Sequence, residues 1–296
     1  MKSRFTALVL LCHLTAFTPR VITWTAIGDS ITYLNDHHDE TGNRITNGYM
    51  AIVAAQYPNI HYINQGHNGW TTVGIAKEIE HLGLIKTDVY SVFLGTNDWW
   101  SGLPLGSMND YINNTGLKTT YGAYRIIINK IRSLNPGAGI ILITPMQRGD
   151  FVYIADAHNN AYGCYRPKNG QELSQFADAV KEIGRYEHVP VIDLYYKSGI
   201  RVDNVVKFKR VKDTVTGTYH NLKYPFYKGI PFHPGSDEYP YPTDAIGYTY
   251  DGLHPSDKGH QVIAKMIIHE FKKAGYFAPD TRKPGGNGSK SAGDKM

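Results

Sequence analysis

Residues 21–27, VITWTAI, run straight into Gly28-Asp29-Ser30. The run is short, rich in β-branched residues and nearly continuous in apolar character, as parallel strands covered on both faces tend to be. A glycine at its end lets the backbone turn tightly. The serine that follows opens the next helix and projects its hydroxyl over the sheet edge. Working outward, comparable runs stand at residues 60–64, 89–94, 139–144 and 189–194. Helical stretches separate them at about 49–56, 73–81, 121–134 and 172–186. Asn135, Pro136 and Gly137 end the third helix. A last helix over 257–273 has Ser256 as its cap and an apolar stripe of Val262, Ile263, Met266, Ile267 and Phe271. Strands alternating with helices predict an α/β fold with a doubly wound parallel sheet of about five strands. Such sheets bind ligands beyond the carboxyl ends of their strands.

Composition narrows the function classes. A chain of 296 residues, 42% apolar and only 19% charged, buries a sizeable core and is not disordered as a whole. A net charge of +5 over this length is too weak to make nucleic acid the main partner. Two cysteines, Cys12 and Cys164, exclude a disulfide scaffold and a multi-cysteine zinc module. Tyrosine is in excess, with 22 residues crowded into the second half, which fits either a cleft for polar ring-shaped ligands or packed rings with wetted hydroxyls.

Four short blocks carry the chemistry, each at a strand end or just before the last helix. Gly28-Asp29-Ser30 offers a nucleophile, although a lone serine here also reads as a helix cap. Asp251-Gly252-Leu253-His254-Pro255 sets a carboxylate three residues before an imidazole, the spacing that holds one tautomer and lets His254 take a serine proton. Gly95-Thr96-Asn97-Asp98 supplies an uncharged side-chain donor suited to an oxyanion. Asn64-Gln65-Gly66-His67-Asn68-Gly69 ends in a glycine whose backbone N–H can approach a bound group closely. Each block alone also reads as turn chemistry.

Together, GDSIT, NQGHNG, GTND and DGLHP resemble in order and spacing the four signature blocks of the SGNH hydrolases, also called the GDSL esterase/lipase family. The resemblance covers roughly residues 21–275. It implies a flavodoxin-like three-layer α/β/α sandwich and an enzyme that needs no cofactor. It also implies that Ser30 is the nucleophile, that Asp251 and His254 complete the triad, and that the Ser30 N–H, Gly69 and Asn97 form the oxyanion hole. Ile31 stands where the name-giving motif has leucine. The activity implied is hydrolysis of carboxylic esters. Trp70 beside Gly69, and Trp99 and Trp100 beside Asn97, are the substrate-binding candidates, because aromatic faces there suit stacking on sugar rings. The expected substrate is a small-molecule or glycan ester, with removal of acetyl groups from carbohydrate foremost. A general short-chain esterase or arylesterase, and a noncatalytic glycan-binding protein on the same fold, remain the alternatives.

Competing motifs are missing or weak. The sequence has no G-x-S-x-G elbow, no Walker A motif and no G-x-G-x-x-G. His37-His38-Asp39-Glu40 is a poor metal cluster, since adjacent side chains point apart, and no metal is expected. Residues 1–18 read as a signal peptide: Lys2 and Arg4 precede an apolar run over 5–17 that is too short to span a bilayer. The expected localisation is therefore secreted or periplasmic. Removing the leader takes Cys12 with it and leaves Cys164 alone. The hydrolase domain is expected over 20–278, with long insertions at about 146–170 and 196–250, and a disordered tail over 279–296.

Overall fold

The computed structural model describes residues 20–276; the expected leader and the tail over 279–296 lie outside them. The chain order is β1 (Ile22–Gly28), α1 (Ser30–Tyr33), α2 (Tyr49–Gln56), β2 (Ile60–Gly66), α3 (Thr72–Glu78), β3 (Val89–Phe93), α4 (Thr96–Trp100), α5 (Met108–Ile112), α6 (Thr120–Leu134) and β4 (Gly139–Ile143). The hairpin strands β5 (Phe151–Val152) and β6 (Asn160–Ala161) follow, then α7 (Leu173–Glu187), β7 (Val191–Ile192) and α8 (Leu194–Lys197). A second hairpin, β8 (Lys209–Lys212) and β9 (Tyr219–Leu222), precedes α9 (Asp257–Lys273).

Five parallel strands form the central sheet in the order β2-β1-β3-β4-β7. Alternation along each strand sends side chains to two helical layers. Trp24, Ala26, Phe93, Ile141 and Ile143 join α2 and α9 in one core. Ile27, Tyr90, Val92, Ile140 and Leu142 join α3, α6 and α7 in the other. The fold is a three-layer α/β/α sandwich, as the resemblance implies. On α9, Ile263, Ile267 and Phe271 are buried as expected, whereas Val262 and Met266 sit half-buried at the edge of the stripe. The third helix ends at Leu134, and Asn135 then donates to Thr87 O at 2.8 Å.

Two expectations change in extent. The last strand covers only Val191–Ile192 instead of 189–194, because Asp193 turns the chain by accepting from Tyr196 N and capping α8. The helix α5 was not expected at all, and Ser107 and Asp110 start it as a capping box.

Both insertions are ordered and are tied to each other. Lys209 Nζ lies 2.7 Å from Asp150 Oδ2 and 2.9 Å from Ile230 O, with both charged side chains buried. The other Asp150 oxygen accepts from Gly163 N at 3.0 Å and from Tyr165 Oη at 2.5 Å. Tyr227 and Tyr241 are fully buried against the α2–α9 core. Much of the tyrosine excess in the second insertion is thus packing, not the cleft wall that its composition also allowed. Lys209→Met should leave Asp150 buried without its cation and cost about 3–5 kcal/mol of stability. Urea denaturation monitored by circular dichroism reads this directly, and adding Asp150→Asn should restore part of the loss.

Candidate active site

The register of the sheet brings the blocks together. Gly28 of β1 aligns with Gly66 of β2 on one side and with Phe93 of β3 on the other. The chain after β1, which begins with Asp29 and Ser30, therefore emerges between the segments that carry Gly69 and Asn97. Asp29 caps α1 by accepting from Ile31 N at 3.0 Å, so Ser30 takes the first position of that turn. Gly28 is required here because a Cβ would fall 2.0 Å from Thr32 Oγ1 as the turn folds back on the strand.

Ser30, His254 and Asp251 form one hydrogen-bonded chain. Ser30 Oγ lies 2.8 Å from His254 Nε2. His254 Nδ1 lies 2.6 Å from Asp251 Oδ2. The other Asp251 oxygen accepts backbone N–H bonds from Leu253 at 3.0 Å and His254 at 2.7 Å. Asp251 is fully buried and ionised acceptors of this kind hold their geometry firmly. With the Nδ1 proton directed at the carboxylate, Nε2 is left to accept the serine hydroxyl proton. Three rings clamp the imidazole: Tyr250 stacks on it at 5.8 Å, and Phe151 and Tyr153 meet it edge-on at 5.3 and 6.0 Å.

Backbone pairing anchors the loop from below. Gly149 N donates to Gly252 O at 2.9 Å, and Val152 N donates to Asp251 O at 3.1 Å. The first insertion therefore holds the aspartate–histidine loop against the end of the sheet. Burial raises the carboxyl of Asp29 to about 6, opposed by the Ile31 N–H and by nearby His254. Asp98 is also buried and pushed upward. It accepts from Thr72 N at 2.7 Å, from Thr72 Oγ1 at 2.9 Å and from Thr120 Oγ1 at 3.3 Å, which joins α3, α4 and α6.

Candidate donors for an oxyanion follow the strands on either side of β1. Gly69 has φ of +75°, a left-handed conformation that glycine adopts without strain, and open space where a Cβ would be. Its N–H and that of Ser30 have no acceptor among the described residues. Asn97 Nδ2 donates to Trp70 O at 2.9 Å, which fixes the amide and leaves its second N–H unused. Asn97→Ala should lower kcat by roughly 10²–10³-fold and change KM less, because such donors act mainly on the transition state. Steady-state kinetics on p-nitrophenyl acetate separate the two constants; an effect confined to KM would make Asn97 a binding residue.

The tryptophan candidates divide. Trp99 is fully buried among Leu173 and Phe176, with Nε1 donating to Gln171 O at 3.0 Å. It is a core residue and not a substrate contact, because the short helix α4 turns that face toward α7. Trp100, one position on, is half-buried and lines a cavity of about 210 Å³ with Phe151, Ala161 and Tyr162. Trp70 is half-buried and stacks on His67 at 4.6 Å.

Several site residues had no motif to reveal them. Phe151, Tyr153 and Tyr250 pack on the imidazole through tertiary contacts alone. Arg148 is buried, with its guanidinium 5.7, 5.5 and 5.5 Å from the ring centres of Trp99, Trp100 and Phe151. Burial lowers its pKa to about 10, so it stays charged at neutral pH. The one available signal was an arginine and an aspartate, Arg148 and Asp150, directly after an apolar strand.

The His37–Glu40 stretch disperses to separate partners. His37 Nδ1 pairs with Tyr33 O, His38 Nε2 with Asn35 O, and Glu40 accepts from the hydroxyls of Tyr33 and Tyr153. Among the described residues no group of three or more His, Cys, Asp or Glu side chains is arranged to hold a metal. Nor is any helix there long and apolar enough to cross a membrane.

This sheet, with its four blocks at the strand ends, defines an ester hydrolase of the SGNH class. The chain belongs to the GDSL-like Lipase/Acylhydrolase family, whose model matches residues 26–262, and it is a carboxylic ester hydrolase. It is similar to a possible lipase from Chitinophaga pinensis, at 60% identity and a TM-score of 0.85, over 86% of this chain and 99% of that one. A protein from Lactobacillus plantarum shares the fold at 22% identity and a TM-score of 0.57, over 86% and 99% of the two chains. A catalytic mutant of an acetylxylan esterase from Geobacillus stearothermophilus matches at 20% identity and a TM-score of 0.47, over 86% and 95%. No curated protein sequence matches the chain.

Proposed function

We propose that the protein is an exported serine esterase that removes short acyl groups, acetyl foremost, from carbohydrate. The observation that carries the catalytic part is the unbroken chain from Ser30 Oγ through His254 to buried Asp251. Ser30 attacks the ester carbonyl while His254 Nε2 takes its proton. Asp251 holds the imidazole in orientation and stabilises the imidazolium. The Ser30 and Gly69 N–H groups and the Asn97 amide receive the oxyanion. His254 then protonates the leaving alcohol, and water repeats the cycle on the acyl-enzyme.

Support for the substrate is of a different kind. Trp70 accepts from the Asn97 amide through its backbone carbonyl, Trp100 lies three residues after Asn97 on α4, and both tryptophans are half-buried. The cavity at Trp100 is also lined by Phe151, the ring that packs edge-on against His254, so a sugar ring held there would lie beside the catalytic imidazole. Support for export is the basic and apolar stretch over residues 2–17.

The test compares wild type with Trp100→Ala on an acetylated oligosaccharide and on p-nitrophenyl acetate. Ring stacking worth roughly 1 kcal/mol predicts a several-fold loss on the oligosaccharide and little on the small ester. Equal losses on both would remove the sugar platform and leave a general short-chain esterase. A panel of p-nitrophenyl esters of rising chain length should show activity falling beyond the shortest acyl groups.

A further inference from the structure

We propose that the protein carries a second binding site, a cleft for an acidic sugar chain, behind the loop that holds Asp251 and His254. The cleft has a volume of about 850 Å³, within the range of small-ligand sites. It lies between the second insertion and the start of α9. Its border with the catalytic loop is direct: Ser256, two residues after His254, donates to Gly247 O at 2.7 Å, and both residues line the cleft.

Charge identifies the ligand. Arg44, Lys207, Lys223 and Lys258 line the cleft, and none of them makes an ion pair among the described residues. Arg44 donates to Tyr241 O, and Lys258 lies 4.0 Å over the Tyr248 ring. Lys207 and Lys223 are exposed, and their side chains have no hydrogen-bond partner among the described residues. Of the two carboxylates of the cleft, one has a cationic partner outside it and the other is held by a neutral residue. Asp203 pairs with Arg201 at 3.1 Å, and both Asp257 oxygens accept from Thr46, at 2.6 and 2.9 Å. The cleft therefore sets four cations against one carboxylate without a cationic partner, Asp257, an excess of positive charge that attracts anions.

Two half-buried rings, Phe208 and Tyr248, stand among these cations. Rings with fixed cations suit a ligand that carries both apolar ring faces and carboxylates, as a uronate-bearing saccharide does. The chain as a whole carries only +5, so an extended nucleic-acid track is disfavoured. A substrate held here by its acidic residues gains binding energy remote from the ester, which orients the reacting group. The inference takes its substrate class from the carbohydrate reading of the catalytic centre, but its test does not use that centre.

The experiment measures binding of an unesterified galacturonate oligomer by calorimetry, beside a neutral xylose oligomer of equal length and inorganic polyphosphate. The proteins are wild type, the triple variant Lys207→Ala/Lys223→Ala/Lys258→Ala, and a control, Lys86→Ala/Lys118→Ala, altered at exposed lysines outside the cleft. Wild type and control should bind galacturonate more tightly than the neutral oligomer, with affinity falling as salt rises. The triple variant should lose about tenfold or more in affinity and keep its rate on p-nitrophenyl acetate. Unchanged galacturonate binding by the triple variant overturns the proposal, as does equal binding of the neutral oligomer. Polyphosphate binding as tightly through the same lysines would also overturn it, since the site would then select charge alone. Galacturonate binding without any ester hydrolysis would sink the catalytic reading and leave the cleft standing.

Discussion

Ser30→Ala is expected to lower turnover of p-nitrophenyl acetate by roughly 10⁴–10⁶-fold and to abolish labelling by an organophosphonate. The size follows from the geometry. His254 Nε2 has one acceptor role in the site, toward Ser30 Oγ at 2.8 Å, and the hydroxyl is the only group held there to attack a carbonyl. Removing it leaves the oxyanion donors and the binding surface, which supply only a residual acceleration. The small buried side chain is replaced by one of similar volume, so the fold should persist and the melting temperature should stay close to that of wild type. A folded Ser30→Ala variant with wild-type activity would end the serine-esterase reading. Mass spectrometry of the intact protein after organophosphonate treatment gives a second readout that does not depend on any choice of ester.

Asp251→Asn is expected to reduce kcat by about 10⁴-fold while leaving the protein folded. The Asp251 Oδ1 contacts to Leu253 N and His254 N can be kept by the asparagine carbonyl, so the loop retains its shape. The amide NH₂ then faces His254 Nδ1, where the carboxylate Oδ2 stood at 2.6 Å. A donor in that place favours the tautomer with the proton on Nε2, which can no longer accept from Ser30. The imidazolium also loses its counter-charge, which Asp251 supplies from a fully buried position. Steady-state kinetics, with circular dichroism to verify folding, check this. A loss of tenfold or less would mean that the imidazole is oriented mainly by Tyr250, Phe151 and Tyr153.

How far the sequence reaches depends on the range of the interaction that decides each feature. The strands β1, β3 and β4 were legible because each is a local apolar run that is largely buried on both faces, whereas β2 lies at the sheet edge with only Ile60 buried. The helix stop at Asn135-Pro136-Gly137 and the Ser256 cap were legible for the same local reason. Ser30, Gly69 and Asn97 were legible as residues because parallel strand ends share one edge of a sheet, and Asp251 and His254 because of their spacing just before the last helix. A turn motif after each strand then converges on that edge without further information. The short last strand escaped because Asp193, a cap for the following turn, outcompetes an apolar run of only a few residues.

Aromatic roles are where local reading stops. Trp99 and Trp100 are neighbours of the same type, and only the packing of α4 on α7 sends one into the core and leaves the other at a cavity. The same holds for the second insertion, where Tyr227 and Tyr241 became core and Lys207 and Lys223 became cleft. Sequence alone determined the alternation of the main strands and helices, the parallel sheet and the four blocks that hold the candidate site residues, since these rest on periodicity and short motifs. Tertiary structure alone decided that Asp150 and Lys209 bind the two insertions together, that three rings clamp His254, and that free cations gather behind its loop. Those outcomes join residues tens of positions apart in the chain, and side-chain type without a partner in view carries no information about which contact it will make.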